Sequence, residues 1–182
     1  LKYYGNDIKI RAKAKAAAGS DARMSGCSLP VVINSGSGNQ GITVSLPVIE
    51  YAKELKVSEE KLFKALIISN LTSIHQKELI GKLSAYCGAV SAAAGSGAGI
   101  TYLHGGSYED ISKTIINTIA NVGGMVCDGA KPSCAAKIAS AVDAAILGHQ
   151  LSTQGNVFKD GEGLVKDGVE ATIGSLGRMG KK

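Results

Sequence analysis

Small residues, glycine above all, constrain the fold of this chain more than any other feature of its sequence. The 182 residues include 24 glycines, two phenylalanines and no tryptophan, and aromatic residues make up only 4%. A core of this composition has to be built from alanine, isoleucine, leucine and valine, with backbones that approach closely. We therefore predict a mainly α fold for residues 1–182: a single compact helical domain of about five to seven small-residue-rich helices with long Gly-rich loops.

Periodicity and capping residues place the first predicted helices. The second half of residues 1–18 favours helix and should stop at Gly19, and Leu29–Ile33 should be an edge strand or an extended segment. A helix is expected over 46–56, with Pro47 in its first turn. The helix over 59–74, capped by Ser58, is apolar on most sides and should therefore lie in the core.

The second half of the chain carries clearer helix boundaries. A helix over 78–94 should contain Cys87 and break at the GSGAG segment. Ser107 and Asp110 form a capping box before an apolar stripe that consists of Ile111, Ile115, Ile119 and Val122, and Gly123–Gly124 should end that helix. Pro132 suits the first turn of a helix that reaches about Leu147, with Gly148 as its cap. Residues 149–182 should be loosely ordered, apart from a short strand or helix around Val169–Leu176.

Three cysteines lie among small residues. Cys127 and Cys134 belong to GGMVCDGAKPSCAAKI, and Cys87 belongs to GKLSAYCG. Their spacing differs from the C-x2-C pattern of zinc knuckles and redox sites. Glycines around Cys127 let backbone amides approach a cluster, while a helix start at Cys134 and the charge of Lys131 would stabilise a thiolate. From these residues alone, both buried apolar thiols and a metal or cluster site remain open, and Cys27 is interpreted as structural.

The segment SGSGNQG, residues 35–41, is called the nest loop here. Its glycines form a G-x-G-x-x-G pattern, but Pro30 spoils the preceding strand and no acidic residue ends a second strand, so we do not expect dinucleotide binding. An anion nest for a small carboxylate or phosphate is the preferred interpretation, and an unliganded turn is the alternative. The predicted side-chain donors are Ser35, Ser37, Asn39 and Gln40.

Charge and hydropathy argue against several classes of function. Six of the 20 basic residues fall within the first 23 positions, but no nucleic-acid motif accompanies them, so a solvated helix face is expected and no nucleic-acid partner. No apolar run of about 18 residues suggests a membrane span, no signal peptide is visible, and a cytoplasmic location is expected. Because the chain starts at Leu1, we expect a fragment or a processed subunit. The isolated His75, His104 and His149 are interpreted as surface or capping residues.

Three longer motifs carry a family resemblance. They are SDARMSGCSLPVVINSGSGNQGI, GKLSAYCG and GGMVCDGAKPSCAAKI. They closely resemble the C-terminal part of the L-cysteine desulfidase family, which is related to the iron–sulfur L-serine dehydratases of the alpha-chain type. The resemblance covers about Ala17 to Gly177 and includes the order of the cysteines, 40 positions (127 − 87) and then 7 positions (134 − 127) apart.

The resemblance implies a cofactor and a reaction. It implies that Cys87, Cys127 and Cys134 hold a [4Fe–4S] cluster whose fourth iron is open to substrate. It also implies that the nest loop holds the substrate carboxylate through Ser35, Ser37 and Asn39. The implied activity is β-elimination from L-cysteine to pyruvate, ammonia and sulfide, with L-serine dehydration to pyruvate and ammonia as the alternative.

The resemblance also bears on what lies outside the chain. Full-length members of the family resemble it only in their second half, so it is expected to be the C-terminal, cluster-binding half. The proton-transferring residue is not identified and is expected in the missing N-terminal half or a separate subunit; a homo-oligomer and a temporary ligand role for Cys27 are left open. Two other hypotheses are a non-catalytic amino-acid-binding module that uses the nest loop, and a zinc-stabilised structural domain.

Overall fold

The computed structural model describes residues 1–81 and 84–180. Within these ranges it contains seven α-helices and isolated β-bridges but no β-strand. The helices are α1 (Ile8–Met24), α2 (Gly38–Glu54), α3 (Glu59–Ile80), α4 (Gly88–Leu103), α5 (Tyr108–Val122), α6 (Cys134–Thr153) and α7 (Val169–Gly180). The prediction of a mainly α fold with small-residue-rich helices is confirmed.

Helix α4 lies at the centre of the fold and packs against α2, α3, α5 and α6. Its glycines are the points of closest approach: a β-carbon at Gly95 would lie 2.3 Å from the carbonyl oxygen of Ser69 on α3, and one at Gly97 would lie 3.2 Å from the β-carbon of Ala145 on α6. The predicted break at GSGAG is therefore wrong, because these glycines allow close helix packing. The chain leaves the helix only at His104.

Two other glycines that were predicted to end helices also lie inside them. Helix α1 continues past Gly19, where a β-carbon would lie 3.1 Å from Cγ2 of Ile42 on α2. Helix α6 continues past Gly148, where a β-carbon would lie 3.0 Å from the carbonyl oxygen of Thr114 on α5. In both cases the small residue serves a helix–helix contact, which local sequence does not distinguish from a helix cap.

Helix α2 begins in the nest loop, at Gly38, and not near residue 46 as predicted. Pro47 consequently lies in the helix interior, where a proline leaves a carbonyl of the preceding turn without its usual donor. Hydroxyl groups supply extra bonds in those turns: Thr43 Oγ1 donates to the carbonyl of Asn39 at 2.7 Å, and Ser45 Oγ donates to that of Gly41 at 2.6 Å. The segment before the loop, Leu29–Ile33, is extended without strand pairing.

Several predicted boundaries are confirmed. Ser58 Oγ caps α3 by accepting a bond from the backbone of Lys61, and Ser107 with Asp110 forms the capping box of α5. Helix α7 replaces the predominantly loose segment expected near the C-terminus. The helix predicted over 78–94 divides, since residues 78–80 end α3 and α4 begins at Gly88; residues 82 and 83 lie outside the described part of the chain.

The orientation of α3 contradicts the prediction that its apolar residues lie in the core. Its buried face carries small and polar side chains, among them Ala65, Ser69, Ser73, Gln76 and Lys77. Its exposed face carries the large apolar side chains Phe63, Ile67, Leu71 and Ile74. Close packing of α3 on the glycines of α4 explains the inward face, because only small residues fit there.

None of the helices in the described ranges is both long and apolar enough to cross a membrane.

His149 is buried, although a surface or capping position was predicted for it. Its Nδ1 lies 2.9 Å from Thr101 Oγ1, and the centroid of its ring lies 4.7 Å from that of His104. Burial first, and then the neighbouring His104, lowers the pKa of His149 from 6.5 to about 4. The two histidines therefore form a pair between α4 and α6 that the sequence did not reveal.

This histidine should make stability depend on pH. The unfolded chain takes up a proton on His149 as the pH falls from 6.5 to about 4, whereas the folded chain does not, so folding stability is lost through that window and retained above it. The contribution is up to about 3 kcal/mol. We expect His149→Gln to show a smaller decrease across the window in urea unfolding. An unchanged pH dependence in this variant would contradict the assignment.

Candidate functional site

All seven residues predicted for the site line one cavity of about 750 Å³. They are Ser35, Ser37, Asn39, Gln40, Cys87, Cys127 and Cys134. The nest loop forms one part of its wall, and the start of α4 together with the loop before α6 forms another. The structure thus brings the predicted anion site and the predicted thiol site together, while the roles of these residues stay predictions.

The cavity is where three helices begin. Within the described ranges, α1, α3 and α5 have N-termini capped by a side chain, whereas α2, α4 and α6 have none. The first residues of these three uncapped helices line the cavity. Free backbone N–H groups and the positive ends of three helix dipoles consequently converge there, an arrangement that favours negatively charged occupants.

Backbone geometry and an asparagine shape the nest loop. Ser35 and Gly36 both adopt positive φ angles, of 49° and 84°, and Asn34 and Ser37 exchange backbone hydrogen bonds of 3.2 and 3.0 Å. Asn34 also ties the loop to α3, because its Nδ2 donates to Asn70 Oδ1 at 3.0 Å and its Oδ1 accepts from Ser73 Oγ at 3.1 Å. The loop is therefore a held turn at the start of α2.

A short antiparallel pairing joins the segments that carry Cys87 and Cys127. The Cys87 N–H donates to the carbonyl of Met125 at 2.9 Å, and the Cys127 N–H donates to the carbonyl of Ala85 at 2.8 Å. Lys137 of α6 holds the same loop on both sides of Cys127, since its Nζ bonds to the carbonyl of Val126 and to the carboxylate of Asp128. These contacts fix two of the three thiols relative to each other.

The third thiol lies at the opposite wall. Cys134 is the first residue of α6, and its Sγ accepts a bond of 3.5 Å from the backbone of Lys131. Cys87 is the N-cap of α4, so two of the three thiols occupy helix N-termini. Burial raises the pKa of Cys87, and the charges of Cys127 and Cys134 raise it further, whereas the backbone N–H of Ala89 and the charge of Lys137 lower it.

Two cationic residues of the cavity were not predicted from sequence. Arg23 lies over the start of α2: its Nη1 donates to Asn39 Oδ1 at 3.1 Å, and a β-carbon at Gly38 would lie 2.5 Å from its Nε. Lys77 of α3 is only 4% exposed; burial lowers its pKa, and the charges of Cys127 and Cys87 raise it. No carboxylate stands among the described lining residues, so the charged side chains there are positive.

Gln40 connects the nest loop to the thiols. A β-carbon at Gly88 would lie 2.6 Å from its Cδ, so the amide packs against the residue that follows Cys87. The side chain is buried, and within the described part of the chain its Oε1 has no hydrogen-bond partner. An unsatisfied buried amide oxygen is costly in a folded protein, and it is available to a ligand that donates a hydrogen bond.

The thiol geometry suits a group larger than a single ion. Among the described residues, no three His, Cys, Asp or Glu side chains are close enough together to hold one metal ion. That finding gives no support to the zinc-domain hypothesis. The three thiols nevertheless share one cavity, two helix N-termini and the positive charges of Lys77 and Lys137. Iron–sulfur clusters require such spacing, positive charge and backbone donors, so these residues fit a cluster.

The remaining candidates lie elsewhere. Cys27 is exposed, which contradicts its interpretation as a small buried hydrophobic residue, and neither it nor any of the three histidines lines the cavity. A polar stripe inside the apolar α3 pattern, Ser69, Ser73 and Lys77, was the available sequence signal for the missed lysine. No comparable signal identified Arg23.

Comparison with known proteins gives a consistent family match. The sequence model described as serine dehydratase alpha chain matches residues 2–182. A UPF0597 protein of Desulfitobacterium hafniense is 65% identical over 181 residues, which are 100% of this chain and 42% of the relative. A UPF0597 protein of Lachnoclostridium phytofermentans is 66% identical over 182 residues, which are 100% of this chain and 44% of the relative. The chain thus spans less than half the length of these relatives, and no solved structure matches it.

Proposed function

This chain belongs to the serine dehydratase alpha-chain family, and from that premise we propose that it is the cluster-binding part of a β-eliminating amino-acid lyase. L-Cysteine is the substrate we propose first, with pyruvate, ammonia and sulfide as products. Since the chain spans 42–44% of the relatives' lengths, the complete activity is proposed for an assembly of this chain with the remaining region of such proteins.

One observation carries this proposal: three uncapped helix N-termini, three free thiols and two cationic side chains converge on one cavity without a carboxylate among its described lining residues. Such a cavity favours thiolates, sulfide and carboxylates together. A site for a neutral or cationic ligand would not require this concentration of positive potential.

The proposed cofactor is a [4Fe–4S] cluster, with Cys87, Cys127 and Cys134 as its ligands. With only three protein ligands, one iron remains open and supplies a Lewis acid for the leaving group at the β-carbon. Lys137 and the pairing of the two cysteine segments would keep the loop around Cys127 in place. The backbone N–H groups at the starts of α4 and α6 would donate to the thiolate sulfurs.

The rest of the cavity would orient the amino acid. Its carboxylate would occupy the nest loop, where Ser37 and Asn39 precede or open α2 and Arg23 supplies a positive charge. The unpartnered Oε1 of Gln40 would accept a bond from the α-ammonium group, since it lies between the nest loop and Cys87. This orientation directs the β-carbon toward the thiol wall.

Elimination then requires one proton transfer and one bond cleavage. A base, which we place in the remaining region of the assembly, removes the α-proton. The C–S bond breaks, its electron pair leaves with sulfur, and sulfide takes up the proton balance from water. The resulting aminoacrylate tautomerises and hydrolyses to pyruvate and ammonia. Walls of α2, α4 and α6 exclude bulk water from the reacting atoms.

L-Serine is the second candidate substrate. The description of the matching family, serine dehydratase alpha chain, favours it, and the names of the relatives specify neither amino acid. The same cavity would bind both, because they share the carboxylate and the α-ammonium group and differ only in the leaving atom.

Anaerobic reconstitution tests the proposal. Protein that includes the remaining region should contain iron and acid-labile sulfide in equal amounts, about four of each per chain. It should release pyruvate together with sulfide from L-cysteine, or pyruvate alone from L-serine, and the ratio of the two specificity constants identifies the substrate. Protein with one zinc and no iron, or amino-acid binding without turnover, would contradict the lyase proposal.

Lys77 provides a prediction on substrate binding. If its ammonium group attracts the carboxylate, Lys77→Met should raise KM about 10- to 100-fold, because a charged hydrogen bond contributes roughly 1.5–3 kcal/mol. Methionine matches the volume of the buried stem. Lys64→Met, on the exposed side of the same helix, is the control and should keep the original KM. A lower kcat with KM unchanged, or loss of iron, would assign Lys77 a different role.

A further inference from the structure

The outward face of α3 carries an apolar stripe, defined by Phe63, Ile67, Leu71 and Ile74. These side chains are 53%, 58%, 59% and 36% exposed. Their spacing of four, four and three residues places them on one side of the helix. The same face includes a shallow depression lined by Phe63, Leu66, Ile67 and Asn70, so the stripe is a continuous surface and not a set of scattered residues.

The distribution of residues on α3 is inverted relative to an ordinary surface helix. The inward face holds alanine, serine, glutamine and lysine, while the four large apolar side chains face outward. A helix on a free protein surface has the opposite arrangement, since exposed apolar area is unfavourable in water. The stripe therefore has the composition of a buried face that lacks its covering element.

A second exposed apolar segment continues toward the cavity. Leu29, Val32 and Ile33 precede the nest loop and are 74%, 81% and 66% exposed. Asn34, the next residue, bonds to Asn70 of α3, on the turn between Ile67 and Leu71. Whatever covers the stripe is consequently brought to the edge of the nest loop.

We propose that the apolar stripe is the docking surface for the region of the full-length family proteins that lies outside the match to this chain. The matched relatives devote 42–44% of their length to this region of homology, so more than half of each relative has to pack somewhere on or beside it. A stripe that ends beside the nest loop positions that region at the cavity, which lacks an identified proton-transferring group. The competing occupant is a second copy of this chain.

The test is co-expression of this chain with the unmatched region of the Desulfitobacterium hafniense relative, which carries the purification tag. The variant is Ile67→Glu/Leu71→Lys, in which Glu and Lys four residues apart favour the helix while placing two charges in the interface. We expect a one-to-one complex with the original chain and an affinity about 100-fold weaker or worse for the variant. Leu147→Glu, on the exposed part of α6, is the matched control and should bind normally.

Each other outcome overturns the proposal. Copurification of the double variant at the original level would show that the stripe is not in the interface, and so would the absence of a complex with the original chain. A dimer of this chain that forms without the tagged region and is lost in the double variant, detected by sedimentation, would assign the stripe to a second copy. Circular dichroism of the double variant should match the original chain, and because the readout is binding, the result does not depend on cluster content or turnover.

Discussion

Replacing Cys127 with alanine is expected to abolish cluster retention and to reduce turnover by about 100-fold or more. The loop that holds this thiol is anchored on both sides, by the bond from its own N–H to Ala85 and by Lys137, so removal of Sγ should leave the backbone in place. A three-ligand site that loses one ligand has too few thiolates to retain its cluster. The measurements are iron and sulfide content, the visible absorption of the reconstituted protein, and pyruvate formation.

Cys27→Ala is the matched control. This thiol is exposed and lies outside the cavity, so its removal should leave iron content, absorption and turnover unchanged. A Cys127→Ala protein with full absorption and full turnover would rule out the proposed ligand set. Loss of iron in both variants would instead bring Cys27 into the cluster site.

Alanine at Gly95 is expected to destabilise the fold by roughly 3 kcal/mol, near the upper end of overpacking effects. The added methyl group would lie 2.3 Å from the carbonyl oxygen of Ser69, which belongs to the backbone of α3 and cannot rotate away. Helices α3 and α4 would have to separate, although alanine is the better helix former. Urea unfolding measures the loss, and reconstitution should also suffer because α4 carries Cys87 at its start.

Gly174→Ala is the corresponding control in α7. Its β-carbon would approach only Nη1 of Arg178, at 3.5 Å, and the site is helical, so the substitution should stabilise the protein by up to about 1 kcal/mol. Opposite signs for the two substitutions would show that close packing, not helix propensity, explains the glycine at position 95. Equal effects would contradict this explanation.

The outcome at the glycines shows why several boundaries were mispredicted. A glycine after an apolar run is equally consistent with a helix cap and with a helix–helix contact, and Gly19, Gly95 and Gly148 all proved to be contacts. Where a boundary depends on local side-chain chemistry, prediction succeeded, as for Ser58 and for the Ser107 capping box. Short-range hydrogen bonds are encoded within four residues, whereas close packing depends on residues far apart in the chain.

Sequence by itself determined the helical class, the capped helix starts and the seven candidate residues, because each depends on composition or on a short motif. Tertiary structure alone decided that the nest loop and the three thiols line one cavity at three uncapped helix starts, with Arg23, Lys77 and the unpartnered Gln40 between them. It also turned the apolar side of α3 outward, because only its small residues fit against α4. Helix dipoles and buried charges act through space, so their convergence depends on how the helices pack.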